Sequence, residues 1–214
     1  MQDIVIVCAG TYGIEQYTEI NEINRILISK GKPPAYRILG FLSDEFVDLK
    51  AKKVNAEIIG SINDWEIKGN EKYVVGLSRP VQKKKVVSIL KEKGACFETI
   101  ISPYAYVSKD IRIGEGCFIS GGSRVSCGVK LGNFVNINGS MICGGATIKD
   151  YSTTTGYTVI EDATIDEGVF IGSKSVITSG CLVGKWSQVS AGSIVVDNVK
   201  SEVIVFGMPA QEIG

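Results

Sequence analysis

The stretch ATIDEGVFIGSKSVITSGCLVGKWSQVSAGSIV, residues 163–195, sets an aliphatic side chain at every sixth position: Ile165, Ile171, Ile177, Val183, Val189 and Val195. A six-residue step matches neither the helical repeat nor the alternation of a strand. It fits a solenoid, in which each hexad is one short strand plus a corner and stacked coils share an apolar core. Upstream, the same period runs through Val107, Ile113, Ile119, Val125, Leu131 and Ile137, returns at Ile148 and resumes at Val159. Two residues before each aliphatic stands a small or apolar residue such as Cys117, Ser123, Ala163, Ser175 or Cys181. Just after it comes Gly, Ser or Asn, as at Gly114, Gly132, Asn138, Gly172 and Gly184. The aliphatic fills the interior and the small residue lets the chain turn. The glycine or asparagine is expected to take the corner's backbone angles. Two five-residue steps, Cys143 to Ile148 and Thr154 to Val159, break the period, and on this count Cys143 takes the core-facing step after Ile137.

Before Val107 the pattern changes. Asp3–Cys8 reads as a buried strand, Ala9–Gly13 as a tight turn, and Ile14–Lys30 as a helix with an apolar stripe from Ile14 to Leu27. Arg37–Leu42 is a second strand ending in Ser43-Asp44-Glu45, and Lys72–Leu77 a third. A basic helix follows near Pro80–Lys93, its Lys83-Lys84-Lys85 run expected to be a solvated face. Alternating strands and helices predict a small Rossmann-like parallel α/β domain over residues 1–100. A ligand crevice is then expected at the strands' carboxyl ends, beside Gly10, Thr11, Tyr12, Ser43 and Asp44. The glycine turn lacks the three-glycine dinucleotide fingerprint, although a glycine turn feeding a helix N-terminus can hold phosphate or serve only to reverse the chain.

The totals exclude several classes. Twenty-three basic and 23 acidic residues cancel, leaving no positive footprint for nucleic acid or an anionic membrane. The start lacks a basic leader and no apolar run reaches membrane-spanning length, so a cytoplasmic protein without membrane insertion is expected. Six scattered cysteines without CxxC spacing, and no histidine, predict no metal site.

The strand–AG–x–x–G turn at Val7–Gly13, the Gly40-Phe41-Leu42-Ser43-Asp44 strand end, the hexads and the closing Gly207-Met208-Pro209-Ala210 together resemble bacterial nucleotide-sugar acyltransferases of the hexapeptide family. These are the sialic acid O-acetyltransferases and the N-acetyltransferases of nucleotide-linked 4-amino-4,6-dideoxy sugars. The resemblance spans nearly the whole chain. It implies a left-handed parallel β-helix over residues 101–214, ending in a short C-terminal segment. It further implies a homotrimer, a dTDP-, UDP- or GDP-linked sugar on the first domain, and acetyl-CoA in the groove between neighbouring β-helices. Edge exposure points the same way, since a short solenoid leaves flat faces that packing would cover. The coenzyme is expected near Thr153, Ser173, Ala191 and Pro209. The family's general-base histidine has its place at Gly144, and two further family histidines at Thr153 and Tyr12.

Without a histidine, three readings stand. A sugar hydroxyl needs a positioned base before it attacks a thioester. A sugar amine supplies its own lone pair, so an N-acyltransferase works mainly by placement, with backbone donors steadying the oxyanion. Asn138 would orient the sugar. The second reading is O-acylation with a substitute group, drawn from Cys143, Asp150, Tyr157, Glu161 and Asp162 around Gly144. In the third, the chain is an inactive binding or assembly homologue, because a fold does not guarantee its usual chemistry. The expected activity is N-acetylation of a nucleotide-linked dideoxy-amino sugar in surface-glycan (lipopolysaccharide or O-antigen) synthesis.

Overall fold

The computed structural model describes residues 1–45 and 47–213. The chain divides into two compact units, Met1–Ser78 with Gln82–Pro103, and Arg79–Val81 with Tyr104–Gly214.

In the first unit, β1 (Gln2–Val7) lies at the centre of a five-stranded sheet. It pairs on one side with β2 (Tyr36–Leu42) and on the other with β4 (Glu71–Val75), both parallel. β3 (Ile58–Gly60) and β5 (Cys96–Phe97) form the edges. The helices are α1 (Thr11–Ser29) and α2 (Pro80–Glu92). The chain leaves β1 toward β2 and returns to the opposite side at β4, so the order reverses beside β1. At that switch point the sheet's carboxyl ends open a crevice. Ile4, Val5, Ile6 and Val7 are fully buried, as expected of a central parallel strand. Two expectations are corrected. β3 has no expected counterpart, because three residues are too few to show a period. Lys83 is only 1 % exposed, so the basic run is not one solvated face: a single helical turn points its three lysines in different directions.

The second unit is a parallel β-solenoid whose strands are mostly two residues long. Phe118–Ile119, Asn136–Ile137, Thr153–Thr154, Phe170–Ile171 and Gln188–Val189 stack on one face. Arg124–Val125, Met141–Ile142 and Val159–Ile160 belong to the second face, and Lys130–Leu131, Thr147–Ile148 and Thr164–Ile165 to the third. The second residue of each strand points inward. From Ile119 to Val195 these residues are at most 4 % exposed.

The inward residues correct the place of the irregular steps. The chain runs Ile137, Ile142, Ile148, Thr154, Ile160, Ile165, so the five-residue steps are Ile137 to Ile142 and Ile160 to Ile165. Ile142 and Ile160 are fully buried, whereas Cys143 is half-exposed and does not face the core. The larger aliphatic side chain takes the interior slot, and the chain gives up one residue at the corner before Ile142 and one at the corner after Ile160. Thr154 takes an interior slot too, its hydroxyl 2.9 Å from Ser140 Oγ.

The glycines after the aliphatics also have a different reason. The left-handed corner residue is the third after the inward one, and it includes Phe134 (φ 57°), Tyr151 (φ 64°), Lys174 (φ 61°) and Trp186 (φ 57°). Such a backbone costs roughly 1–2 kcal/mol per residue. Stacking of Phe134 on Tyr151, with centroids 5.3 Å apart and planes 7° from parallel, offsets roughly 0.5–1.5 kcal/mol of it. The glycine just after the aliphatic is needed instead for close approach of the next coil. A Cβ at Gly132 would stand 2.2 Å from Asp150 Oδ1 and 2.7 Å from Asp150 N, and one at Gly172 would stand 2.5 Å from Ala191 N.

Gly132→Ala is therefore expected to lower stability by about 1–3 kcal/mol in urea unfolding. Gly156→Ala, where a Cβ meets nothing within 4 Å, should change it by no more than about 0.5 kcal/mol.

Candidate functional site

The crevice at the carboxyl ends of β1, β2 and β4 encloses about 600 Å³. Gly10, Ser43 and Asp44 line it, together with Cys8, Glu45, Asn63, Gln82 and Lys85. Gly13 and Gly76 make its floor possible: a Cβ at Gly13 would meet Cys8 O at 2.0 Å, and one at Gly76 would meet the Gly13 Cα at 2.5 Å. The start of α1 thus rests directly on the ends of β1 and β4. Thr11 and Tyr12 begin α1 but are not among the lining residues. Asn63 went unforeseen because it follows the unforeseen β3. Gln82, Lys85 and Ile89 share one side of α2 at helical spacing, a signal the basic run concealed.

The crevice's two ends differ in charge. Burial pushes the Cys8 thiol up to about 11, with Asp44 and Glu45 adding to it, so a negative field reaches this wall. Asp44 Oδ1 accepts a 2.8 Å hydrogen bond from Ile62 N–H, and Ser43 Oγ donates to Glu45 O at 2.8 Å. This side suits hydrogen-bond donors such as base N–H or ribose hydroxyl groups. Gly10 caps α1 without a side-chain bond, and the helix N-terminus with Lys85 makes the other side suited to phosphate.

In the solenoid, the expected catalytic residues fall on three different corners. Asn138 turns the chain from the first face to the second, Cys143 and Gly144 from the second to the third, and Asp150 from the third back to the first. One chain does not bring them together.

The first corner collects hydroxyls. Asn138 Nδ2 donates to Thr154 O at 2.7 Å. Thr155 Oγ1 donates to Ile171 O at 2.9 Å, and Ser173 Oγ lies 3.0 Å from Thr155 Oγ1. Gly192 N donates to Ser173 O, stacking the corner that holds Ala191 on the one that holds Ser173. Asn138, Ser173 and Ala191 therefore share one edge. Thr153 is on the flat face and 0 % exposed, so Thr155 is the threonine of its triplet that reaches the corner. Pro209 is exposed in the turn between Ile204–Gly207 and the antiparallel Ala210–Glu212, after a cis Met208–Pro209 bond.

The third corner is structural. Asn133 N and Nδ2 donate to Asp150 Oδ1 and Oδ2 at 2.8 and 3.1 Å, and Glu115 N donates to Asn133 Oδ1 at 3.1 Å. Asp150 is a rung of a coil-to-coil ladder. Lys149 pairs with Asp166 at 3.2 Å. On the second corner, Glu161 Oε2 accepts from Ser179 N and Oγ at 2.9 and 3.0 Å. No group of three or more Cys, Asp or Glu suited to a metal occurs among the described residues, and no helix is long and apolar enough to cross a membrane.

No family model matches the chain, and no curated relative is found. Solved structures share its fold over the full length. WeeI from Acinetobacter baumannii AYE is 21 % identical, covers 100 % of both chains and gives a TM-score of 0.84. The acetyltransferase domain of PglB from Neisseria gonorrhoeae FA1090 is 17 % identical, with 100 % of both chains covered and a TM-score of 0.82. A histidine-to-asparagine mutant of perosamine N-acetyltransferase from Caulobacter crescentus, in complex with CoA and GDP-perosamine, is 18 % identical. It covers 100 % of this chain and 98 % of its own, with a TM-score of 0.82. At these identities the likeness establishes the fold.

Asp150→Asn should lower stability by about 1–2 kcal/mol in urea unfolding, because an amide NH₂ would face the Asn133 NH₂. A loss of activity with unchanged stability would instead make Asp150 catalytic.

Proposed function

We propose that this protein is an acetyl-CoA-dependent N-acetyltransferase acting on the amine of a nucleotide-linked dideoxy-amino sugar. The observation that carries this reading is the coexistence, in a chain without histidine, of the charge-divided sheet-end crevice and a full-length fold shared with an enzyme holding CoA and GDP-perosamine. The nucleoside would lie against Ser43, Asp44 and Glu45, and the diphosphate toward Gly10 and Lys85. The solenoid would take acetyl-CoA along the corner of Asn138, Thr155, Ser173 and Ala191, with Pro209 near its end. Both ligands are organic, and the reaction calls on no metal.

The division of Asn138 and Gly144 between two corners supports a homotrimer, because groups on different corners of one chain can meet only across copies. Five of the six described outward residues of the second face are apolar: Tyr106 and Met141 at 54 % and 45 % exposure, and Val159, Val176 and Ile194 half-buried. The sixth, Arg124, lies over the Tyr106 ring at 4.4 Å. Such an apolar face suits cover by another copy. We place the reaction in the cytoplasm, in the synthesis of a surface glycan such as lipopolysaccharide O-antigen.

Amine chemistry follows from the missing imidazole. A neutral amine attacks a thioester unaided once held in line, and holding is worth several orders of magnitude in rate. A hydroxyl needs a base poised near neutrality, which histidine most often supplies.

The test is release of free coenzyme A thiol by the purified protein, given acetyl-CoA and a panel of GDP-, UDP- and dTDP-linked sugars. Acetylation is expected only of panel members with a free amine. Turnover of a hydroxyl-only sugar would replace this reading with O-acylation. Failure of acetyl-CoA to shift the thermal unfolding midpoint would favour a binding or assembly protein.

A further inference from the structure

One loop of the sheet-end crevice is held more firmly than its exposure explains. Residues 61–65 follow β3, and Asn63 and Asp64 within them are exposed. Four separate ties among the described residues fix this short stretch. Asp44 Oδ1 accepts from Ile62 N–H at 2.8 Å, joining the loop to the chain just beyond β2. Ser61 Oγ donates to Asp64 Oδ2 at 2.7 Å and accepts from Asp64 N–H at 3.1 Å. Trp65 Nε1 donates at 2.8 Å to Tyr73 Oη, which itself donates at 2.6 Å to the buried Glu71 carboxylate. Gly60 leaves room for the Trp65 ring, which a Cβ there would meet at 2.8 Å.

The fourth tie is Lys93, the residue after α2. Its Nζ donates to Ile62 O at 3.2 Å, to Trp65 O at 3.1 Å and to Asn63 O. An ammonium has three N–H donors, and here each meets a main-chain carbonyl. Three carbonyl dipoles aimed at one point repel one another unless a cation stands between them. The shape of the loop therefore depends on Lys93. α2 also carries Gln82, Lys85 and Ile89 along one wall of the crevice, and Asn63 belongs to another. Lys93 is not among the lining residues, so it ties the two walls together from outside.

We infer that Asn63 is a ligand-binding residue of the crevice and that Lys93 is the positioning residue that presents it. This inference rests on the nucleotide-sugar reading for the identity of the ligand. The Asn63 carboxamide offers both donors and an acceptor, and no other group among the described residues engages it. It stands one residue on from the Ile62 N–H held by Asp44, on the side assigned to the nucleoside. Guanine, uracil and thymine each present a ring N–H next to a carbonyl, and an amide pairs with that edge through two parallel hydrogen bonds. A loop fixed before the ligand arrives keeps the cost of ordering it out of binding.

The experiment is isothermal titration of the purified protein with GDP, UDP and dTDP in turn. It compares wild type, Asn63→Ala, Lys93→Met, the double variant and Lys91→Met. Wild type is expected to bind at least one of the three nucleotides. Asn63→Ala and Lys93→Met should each weaken that binding about tenfold, the scale of a lost hydrogen-bonded contact. The double variant should bind within about threefold of the weaker single variant, because Lys93 acts through Asn63. Lys91→Met, which removes the same charge from the exposed last turn of α2, should match wild type. Asn63→Ala within about threefold of wild type would overturn the inference, and truncating an exposed side chain makes no demand on folding. Losses that multiply in the double variant, or an equal loss in Lys91→Met, would overturn the positioning role of Lys93. Either result leaves the nucleotide-sugar reading standing. A wild type that binds none of the three nucleotides would overturn that reading and this inference together.

Discussion

The distance between successive coils governs the solenoid. Each coil donates its backbone N–H groups to the carbonyls of its neighbour, as in Gly132 N to Ile148 O at 2.8 Å and Gly172 N to Val189 O at 2.8 Å. At that spacing a corner residue lies almost on top of its counterpart one coil away. Glycine follows the inward aliphatic wherever the next coil's backbone or side chain already occupies the space of a Cβ. Aromatic side chains stack for the same reason, and polar side chains such as Asn133 and Asp150 join into ladders. Most carboxylates and hydroxyls are consequently engaged by the coil above or below.

The α/β unit obeys a different constraint. Gly13 and Gly76 let α1 start in contact with the ends of β1 and β4, which brings an uncapped helix N-terminus to the floor of the crevice. Asp44 and Glu45 arrive from the neighbouring strand end. Their charge adds to the burial that raises the Cys8 thiol, so this wall favours hydrogen-bond donors over anions. A ligand carrying both phosphate and donor groups meets both demands, as a nucleotide does.

Much of this was legible in the sequence. The hexads specified the solenoid because an aliphatic must return to one axis at each strand. The phase was harder to read near the middle. Ile142 and Cys143 both fit an interior slot by hydrophobicity, and only packing shows that Ile142 takes it. Counting from Cys143 moved both short steps to the wrong corners. The distribution of Asn138, Gly144 and Asp150 over three corners was equally hidden, since a linear sequence does not show which face a corner separates until the short steps are placed. In the first unit, Gly10, Ser43 and Asp44 were legible from topology alone. Asn63 was not, because β3 is too short to carry a pattern.

The central claim is that placement of an amine in line with a thioester replaces an imidazole. A crystal structure of the protein with coenzyme A and GDP-perosamine bound tests it most directly. The predicted result is the sugar nitrogen in line with the coenzyme thioester at the edge that carries Asn138, with the nucleoside against Ser43 and Asp44 and the diphosphate toward Gly10 and Lys85. A sugar nitrogen remote from the coenzyme sulfur, or a coenzyme lying along the edge of Asp150, would contradict it.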